Sequence, residues 1–218
     1  MENKHIALVT GASRGIGAAL AEELAVRGWH VVAVARTMGA LEELDDRIKT
    51  AGGTATLAAM DVTVDDAMRH LCRDIHDRWG SVGLWVHSAI QAPPLSPAGH
   101  IAIKEWDKAL AVNARATGVL IPMVAPLLAA SPDTGTALFL NDPAAEARFH
   151  GCYGATKLAQ MALAKAWADE SAKTGPRVLI EDCAPMPTAL RARFHPGENR
   201  DALIPCATEA ARLVALLG

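Results

Sequence analysis

Short apolar runs alternate with helical patterns along almost the whole chain. The predicted strands are residues 5–9, 30–35, 54–60, 82–87, 136–140 and 177–183. Between them apolar residues recur at helical spacing, as at Ile16, Leu20 and Leu24, and a last helix is predicted over 208–217. This strict alternation predicts an α/β fold, a doubly wound parallel sheet of about six strands with helices on both faces. No repeat or linker interrupts the pattern, so residues 1–218 are expected to form a single domain.

Composition excludes several classes of protein without indicating an activity. Of the 218 residues, 51% are hydrophobic and 21% are charged, and the formal net charge is −3. We therefore expect no nucleic acid among the partners. The longest apolar stretch, from about Gly118 to Ala130, contains Pro122 and Pro126 and is too short to span a bilayer. Without a leader-like segment we expect a cytoplasmic protein that does not bind membranes, and the dispersed cysteines predict reduced thiols and no metal site.

A glycine-rich turn follows the first predicted strand and opens the first predicted helix. The segment 10–17 reads TGASRGIG. Glycines let the backbone approach a pyrophosphate, and a helix N-terminus offers N–H donors and the positive end of a dipole. The context predicts a Rossmann-like dinucleotide site, with a tight turn and no ligand as the alternative. The residues expected to hold the cofactor here are Gly11, Ser13, Arg14, Gly15, Ile16 and Gly17.

A tyrosine and a lysine four residues apart lie on the helix predicted after the fifth strand. Tyr153 and Lys157, in the segment YGATK, share one helix face. A tyrosine with the ordinary pKa of about 10 is a poor acid or base at neutral pH, and a neighbouring ammonium is expected to lower its pKa. Tyr153 is therefore predicted to be a general acid/base, with a structural tyrosine as the alternative.

The spelling T-G-x-x-x-G-x-G, followed by Y-x-x-x-K, resembles the short-chain dehydrogenase/reductase family from Ile6 to the final helix. The resemblance, to a divergent bacterial member, implies hydride transfer between a nicotinamide and a small carbonyl or alcohol substrate. It implies that Tyr153 is the acid/base, that Lys157 binds the ribose, and that Asn113 organises a proton-relay water. It also implies a homodimer or homotetramer, in which small residues of the tyrosine helix permit close approach of two helices. Packing of those residues on the sheet is the alternative.

The residues after the second predicted strand favour NADP(H) over NAD(H). Where the family places an acidic residue that selects NAD, this chain has Ala35 followed by Arg36, and Arg14 lies in the glycine loop. Two guanidiniums without a carboxylate suit a 2′-phosphate, with two solvated surface arginines as the alternative. The resemblance adds cofactor contacts at Asp61, Val62, Ser88, Ala89, Pro185 and Thr188. Asp61 has the alternative role of capping the helix that follows.

The chain departs from the family pattern on the substrate side. The family's serine at the end of the fifth strand is absent, and Asn141 or Asp142 occupies its place. An amide donates to a carbonyl oxygen whereas an ionised carboxylate cannot, so Asn141 is the favoured donor. An ionised Asp142 would instead attract a cationic substrate or turn outward. The family's Asn-Ala-Gly and Pro-Gly motifs are altered here to Ser-Ala-Ile, residues 88–90, and Pro-Met, residues 185–186.

These departures leave a second class of function open. The alternative to an oxidoreductase is a cofactor-binding protein with little catalysis that acts as a sensor or partner subunit. A related chemistry is the reduction of C=C or C=N bonds. The segment 189–205 is short for a helical lid, so an open site is expected.

Overall fold

The computed structural model describes residues 5–217 and contains one parallel sheet. Its six strands are β1 Ile6–Thr10, β2 His30–Ala35, β3 Thr54–Ala59, β4 Leu84–His87, β5 Thr136–Asn141 and β6 Arg177–Asp182. The strands lie in the order β3-β2-β1-β4-β5-β6. All neighbouring pairs are parallel. The chain starts in the middle of the sheet, runs outward to β3 and returns to β4, so the predicted doubly wound fold is confirmed.

Helices cover both faces of the sheet. They are α1 Gly15–Val26, α2 Met38–Thr50, α3 Asp65–Trp79, α4 Ile103–Ala109, α5 Ala116–Ala129, α6 Gly151–Ser171, α7 Ala189–Phe194 and α8 Cys206–Ala215. Side chains of α1, α2 and α8 enter one hydrophobic core. Side chains of α3, α5 and α6 enter the other.

Strand β1 shows why the apolar runs form strands that are buried on both faces. Its residues alternate between the two cores: Ile6 and Leu8 belong to the core under α3, α5 and α6. Ala7 and Val9 belong to the core under α1, α2 and α8. Successive side chains of a strand point to opposite faces, so a central strand must be apolar throughout.

The long helical stretch in the middle of the chain extends well beyond the apolar segment 118–130. Residues 103–129 form α4, a π-helical segment Leu110–Arg115 and α5 without a break. Pro122 and Pro126 lie inside α5 at exposed positions, and the helix continues through both. Within residues 5–217 this 27-residue stretch is long and apolar enough to cross a membrane by length and composition alone, and 39% of its most apolar window is buried. Side chains of α5 such as Leu120 pack in the core of the sheet, and core helices often share this length and composition.

Candidate active site

A cavity of about 630 Å³ opens at the carboxyl ends of the strands. It lies where the strand order reverses between β1 and β4, the place at which open α/β sheets bind ligands. The glycine loop, the segments after β4, β5 and β6, and the Tyr153 and Lys157 side chains of α6 all line it. The fold thus brings together residues that are far apart in the chain.

The glycine loop forms a cradle with no room for side chains. A Cβ atom on Gly11 would lie 2.6 Å from the backbone nitrogen of Ala89, and one on Gly17 would lie 2.3 Å from the backbone oxygen of Gly11. The hydroxyl of Ser88 donates to the backbone oxygen of Thr10 at 2.8 Å and so fixes the loop against β4. This close packing leaves backbone N–H groups at the start of α1 near the cavity, which suits a pyrophosphate.

The residues predicted for the adenosine side of the cofactor line one end of the same cavity. Arg14 and Arg36 are exposed and line it, as do Asp61 and Val62. Among the residues that the structure describes, no carboxylate lies within ion-pair distance of either guanidinium. Oδ1 of Asp61 accepts hydrogen bonds from the backbone N–H and the hydroxyl of Thr63. Asp61 therefore orders the turn before α3 rather than capping the helix itself.

Asp142 contacts the tyrosine hydroxyl, and Asn141 does not. The hydroxyl of Tyr153 donates to Oδ2 of Asp142 at 2.9 Å. The side-chain amide of Asn141 instead donates to Oδ1 of Asp182 at 2.7 Å. The reason is register: Asn141 ends β5 directly opposite Asp182 of β6, whereas Asp142 lies beyond the strand. Asn141, the favoured donor to a substrate carbonyl, thus has an amide proton committed to Asp182, and Asp142 is the residue of the two that contacts Tyr153.

The electrostatic surroundings of Tyr153 differ from the expectation. Tyr153 is 2% exposed. Burial, followed by the charge and the hydrogen bond of Asp142, raises its pKa well above the ordinary tyrosine value. The shift of the Tyr153 pKa is thus opposite to the lowering expected from Lys157. Tyr153 is a protonated phenol whose single proton points to a carboxylate.

Lys157 is buried and its ammonium is held by two oxygens. Nζ donates to the backbone oxygen of Leu140, at the end of β5, and to Oε1 of Gln160 at 2.7 Å. Burial lowers the pKa of Lys157 to about 8, although nearby negative groups partly oppose this. Gln160, which sequence reasoning missed, lies three residues after Lys157 on the same helix face, a spacing that was available as a signal.

A buried polar chain extends from Gln160 to β1. The Gln160 amide donates to Oγ1 of Thr117 at 3.1 Å. Nε2 of His87 lies 2.9 Å from the same oxygen, and its Nδ1 lies 2.8 Å from Oγ1 of Thr10. Burial lowers the pKa of His87 to about 3, so the imidazole is neutral. The chain connects the lysine side of the cavity with the strand that carries the glycine loop.

Asn113 is buried in the π-helical segment and holds the loop after β4. Its Oδ1 accepts from the backbone N–H of Gln91 at 2.7 Å. Its Nδ2 donates to the backbone oxygen of Gln91 and to Oγ1 of Thr156. Both amide protons are thus committed to protein oxygens, and the proton-relay role of Asn113 stays a prediction.

A short helix missed by sequence reasoning, α7, covers the tyrosine. The hydroxyl of Thr188 accepts from the backbone N–H of Arg191 and so caps α7. The ring of Phe194, at the end of α7, lies 4.9 Å from that of Tyr153 between centroids. Thr188 and Pro185 both line the cavity, as predicted from the resemblance, but α7 makes the tyrosine end less open than expected.

Comparison with known proteins agrees with this geometry. A family model described as short chain dehydrogenase matches residues 5–199. The chain belongs to the short-chain dehydrogenase family. Family membership makes it an oxidoreductase of the dehydrogenase and reductase type.

The relatives of this short-chain dehydrogenase match most of its length. An uncharacterised oxidoreductase of Staphylococcus epidermidis is 30% identical over 175 residues, which cover 79% of this chain and 74% of that protein. D-threitol dehydrogenase of Mycolicibacterium smegmatis is 28% identical over 202 residues, covering 91% and 76%. The NADP complex of a Shigella flexneri protein described as a short chain dehydrogenase superposes with a TM-score of 0.91 at 26% identity, covering 99% and 92%.

The buried lysine generates a prediction about stability and pH. Lys157 has a pKa of about 8 in the folded protein and the ordinary value of 10.5 when unfolded. Between these values the unfolded chain binds more protons, so the Lys157 contribution to the free energy of unfolding rises with pH. At about 1.4 kcal/mol per pH unit, the rise over this window is about 3 kcal/mol. Below pH 8 Lys157 is protonated in both the folded and the unfolded chain, so this contribution to the free energy of unfolding is lost.

Urea unfolding at a series of pH values checks this prediction. The wild-type free energy of unfolding minus that of Lys157→Met should rise across the window. Both proteins carry Cys183→Ala, because Cys183, whose pKa burial raises to about 12 and the charge of Lys157 lowers, titrates with the opposite sign and responds to the loss of Lys157. Lys165→Met, at an exposed position of α6, is the matched control. A pH-independent difference for Lys157→Met contradicts the prediction.

Proposed function

We propose that this short-chain dehydrogenase transfers hydride between NADP(H) and a small carbonyl or alcohol substrate. The observation that carries the proposal is one cavity lined by the glycine cradle, Tyr153 and Lys157. A nicotinamide cofactor that lies on the cradle would place its reactive end toward the tyrosine. We further propose that residues 1–218 act as a single cytoplasmic domain.

The preference for NADP(H) over NAD(H) rests on Arg14 and Arg36. Both line the cavity with no ion-pair partner among residues 5–217, so both guanidiniums are available to a phosphate. The Shigella flexneri structure that superposes on this chain is an NADP complex.

The proposed mechanism assigns the proton to Tyr153. Bound NADPH supplies a hydride to the carbonyl carbon. Tyr153 donates its hydroxyl proton to the carbonyl oxygen as negative charge develops there, and takes it back in the alcohol direction. Lys157 faces the cavity beside the tyrosine and contributes positive charge that stabilises the phenolate form, and it binds the cofactor's ribose. Asn113 holds the loop after β4 and organises the proton relay.

A homodimer or homotetramer through α6 is also proposed. Ala155, Ala162 and Ala166 are exposed and Ala159 is half-buried, so these small residues are not all used for packing on the sheet. Leu158 on the same helix is 42% exposed. We expect sedimentation velocity to give a dimer or tetramer at micromolar concentration, and Ala162→Glu to dissociate it because a carboxylate would be desolvated at the helix contact. A wild-type monomer contradicts this assembly.

The cofactor preference is tested by titration with NADPH and NADH, followed by quenching of the five tryptophans. NADPH should bind more tightly than NADH. Arg36→Ala should weaken NADPH binding by about 10- to 100-fold, the value of a charge-assisted hydrogen bond of about 1.5–3 kcal/mol, and leave NADH binding nearly unchanged. Arg73→Ala, at an exposed position on α3 outside the cavity, is the matched control. An equal loss of affinity for NADPH and NADH in Arg36→Ala would contradict recognition of the 2′-phosphate by Arg36.

Tyr153→Phe separates the proposed enzyme from a cofactor-binding sensor. We expect the variant to bind NADPH like the wild type and to reduce a carbonyl substrate about 10²- to 10⁴-fold more slowly, because the general acid is lost. Steady-state NADPH oxidation gives the rate, and the fluorescence titration gives the binding. Unchanged turnover in Tyr153→Phe excludes Tyr153 as the acid. Tight NADPH binding by a wild type that turns over no carbonyl compound favours the sensor.

A further inference from the structure

Within residues 5–217 the carboxylate of Asp142 forms no salt bridge, and the charges of Lys157 and Arg191 act on it only at longer range. Oδ2 accepts from Tyr153 at 2.9 Å, and Oδ1 accepts from the backbone N–H of Ala144 at 2.9 Å. Neither donor is charged, and within residues 5–217 no arginine, lysine or histidine nitrogen lies within ion-pair distance of Asp142. The carboxylate is half-buried and lines the cavity, so a bound substrate can reach it.

The cations nearest to Asp142 are already committed elsewhere. Lys157 donates to Leu140 and Gln160. Arg191 pairs through two nitrogens with both carboxylate oxygens of Glu198. Neither cation forms an ion pair with Asp142, so the carboxylate is available to a cationic ligand.

This carboxylate places a requirement on the proposed proton transfer. Tyr153 has one proton, and it points to Asp142 rather than to the space where a carbonyl oxygen would lie. A neutral carbonyl oxygen is a weaker acceptor than a carboxylate, because hydrogen bonds to ionised acceptors are about twice as strong. A neutral ketone therefore competes poorly for the proton on which its own reduction depends.

We propose that the substrate is a ketone or alcohol that carries an ammonium group on the neighbouring carbon, and that this ammonium binds Asp142 and releases the Tyr153 hydroxyl to the substrate oxygen. The inference rests on the proposed function and names its substrate class. An ammonium is a charged donor and displaces the neutral phenol from the carboxylate. The same ion pair neutralises the charge beside Tyr153 and makes the phenol a better acid.

The spacing of the two groups suits the 1,2-arrangement. The Tyr153 oxygen and Oδ2 of Asp142 are 2.9 Å apart. When hydrogen bonds of roughly 3 Å run side by side from these two atoms, the ammonium nitrogen and the substrate oxygen lie at a similar separation from each other. Groups on adjacent carbons meet that separation. The apolar side chains of Ile90, Ala92, Leu190 and Phe194 pack around the tyrosine.

The reaction balances without a further reactant. Hydride from NADPH forms the new C–H bond, the π bond of the carbonyl breaks toward oxygen, and that oxygen takes the Tyr153 proton. The ketone is reduced to a 1,2-amino alcohol that keeps its ammonium proton, and the nicotinamide is oxidised to NADP⁺. Tyr153 then recovers a proton from solvent.

The first test compares aminoacetone with its neutral isostere hydroxyacetone as substrates for NADPH oxidation. The wild type should prefer aminoacetone by at least about 10-fold in kcat/KM. Asp142→Asn should lower the ratio of kcat/KM for aminoacetone to kcat/KM for hydroxyacetone by about 10- to 100-fold. Asp142→Ser should favour the neutral ketone for the same reason. Asp133→Asn, in an exposed segment after α5, is the matched control for the loss of one carboxylate.

The second test needs no turnover and compares binding of the two reduction products to the NADPH-bound protein by isothermal titration calorimetry. The wild type should bind 1-amino-2-propanol, the product of aminoacetone reduction, at least about 10-fold more tightly than 1,2-propanediol, the product of hydroxyacetone reduction. Asp142→Asn should weaken binding of the amino alcohol by about 10- to 100-fold, since the carboxylate charge is removed. Asp133→Asn should keep the wild-type preference.

The outcomes separate this inference from the function on which it rests. Equal use of both ketones, with no change of ratio in Asp142→Asn, overturns the substrate class while NADPH oxidation keeps the proposed function. Absence of turnover together with equal binding of the amino alcohol and the diol also overturns the substrate class. The NADPH titration then decides whether the proposed function fails as well.

Discussion

Burial of one lysine ammonium organises the site. A cation inside a protein is costly unless its donors meet acceptors. The backbone oxygen of Leu140 and the side-chain oxygen of Gln160 meet that requirement for Lys157. Because Leu140 belongs to β5 and Gln160 to α6, the ammonium ties the helix to the end of the strand. Tyr153, one turn earlier on α6, is thereby held over the residues that follow β5.

The parts of the structure that depend only on residues close together in the chain could be predicted from the sequence. The apolar run of β2 and the helical period of α1 are local patterns, and both elements form where they are expected. The glycine loop and the Tyr153–Lys157 pair are short motifs that can be read from the sequence, and the fold brings both to one cavity. Whether Asn141 or Asp142 faces the tyrosine depends on the exact residue that ends β5, because one residue reverses the direction of a side chain.

Contacts between distant segments account for what the sequence did not reveal. Helix α7 has six residues, too few for a helical period to be recognised, and only the folded chain brings Phe194 onto Tyr153. The pKa of Tyr153 was expected to fall because Lys157 is near in sequence. The pKa is raised instead because burial and Asp142 both favour the protonated phenol, and both depend on the folded structure.

An aspartate beside the tyrosine changes the chemistry in a way that a serine would not. A serine hydroxyl both donates and accepts, whereas an ionised carboxylate only accepts. The carboxylate therefore fixes the direction of the Tyr153 hydrogen bond and makes the phenol a weaker acid. Both effects vanish when a cation pairs with Asp142, since the acceptor is then occupied and its charge is neutralised. The Asp142 side chain thus couples the charge of the bound substrate to the acid strength of Tyr153, which must protonate that substrate.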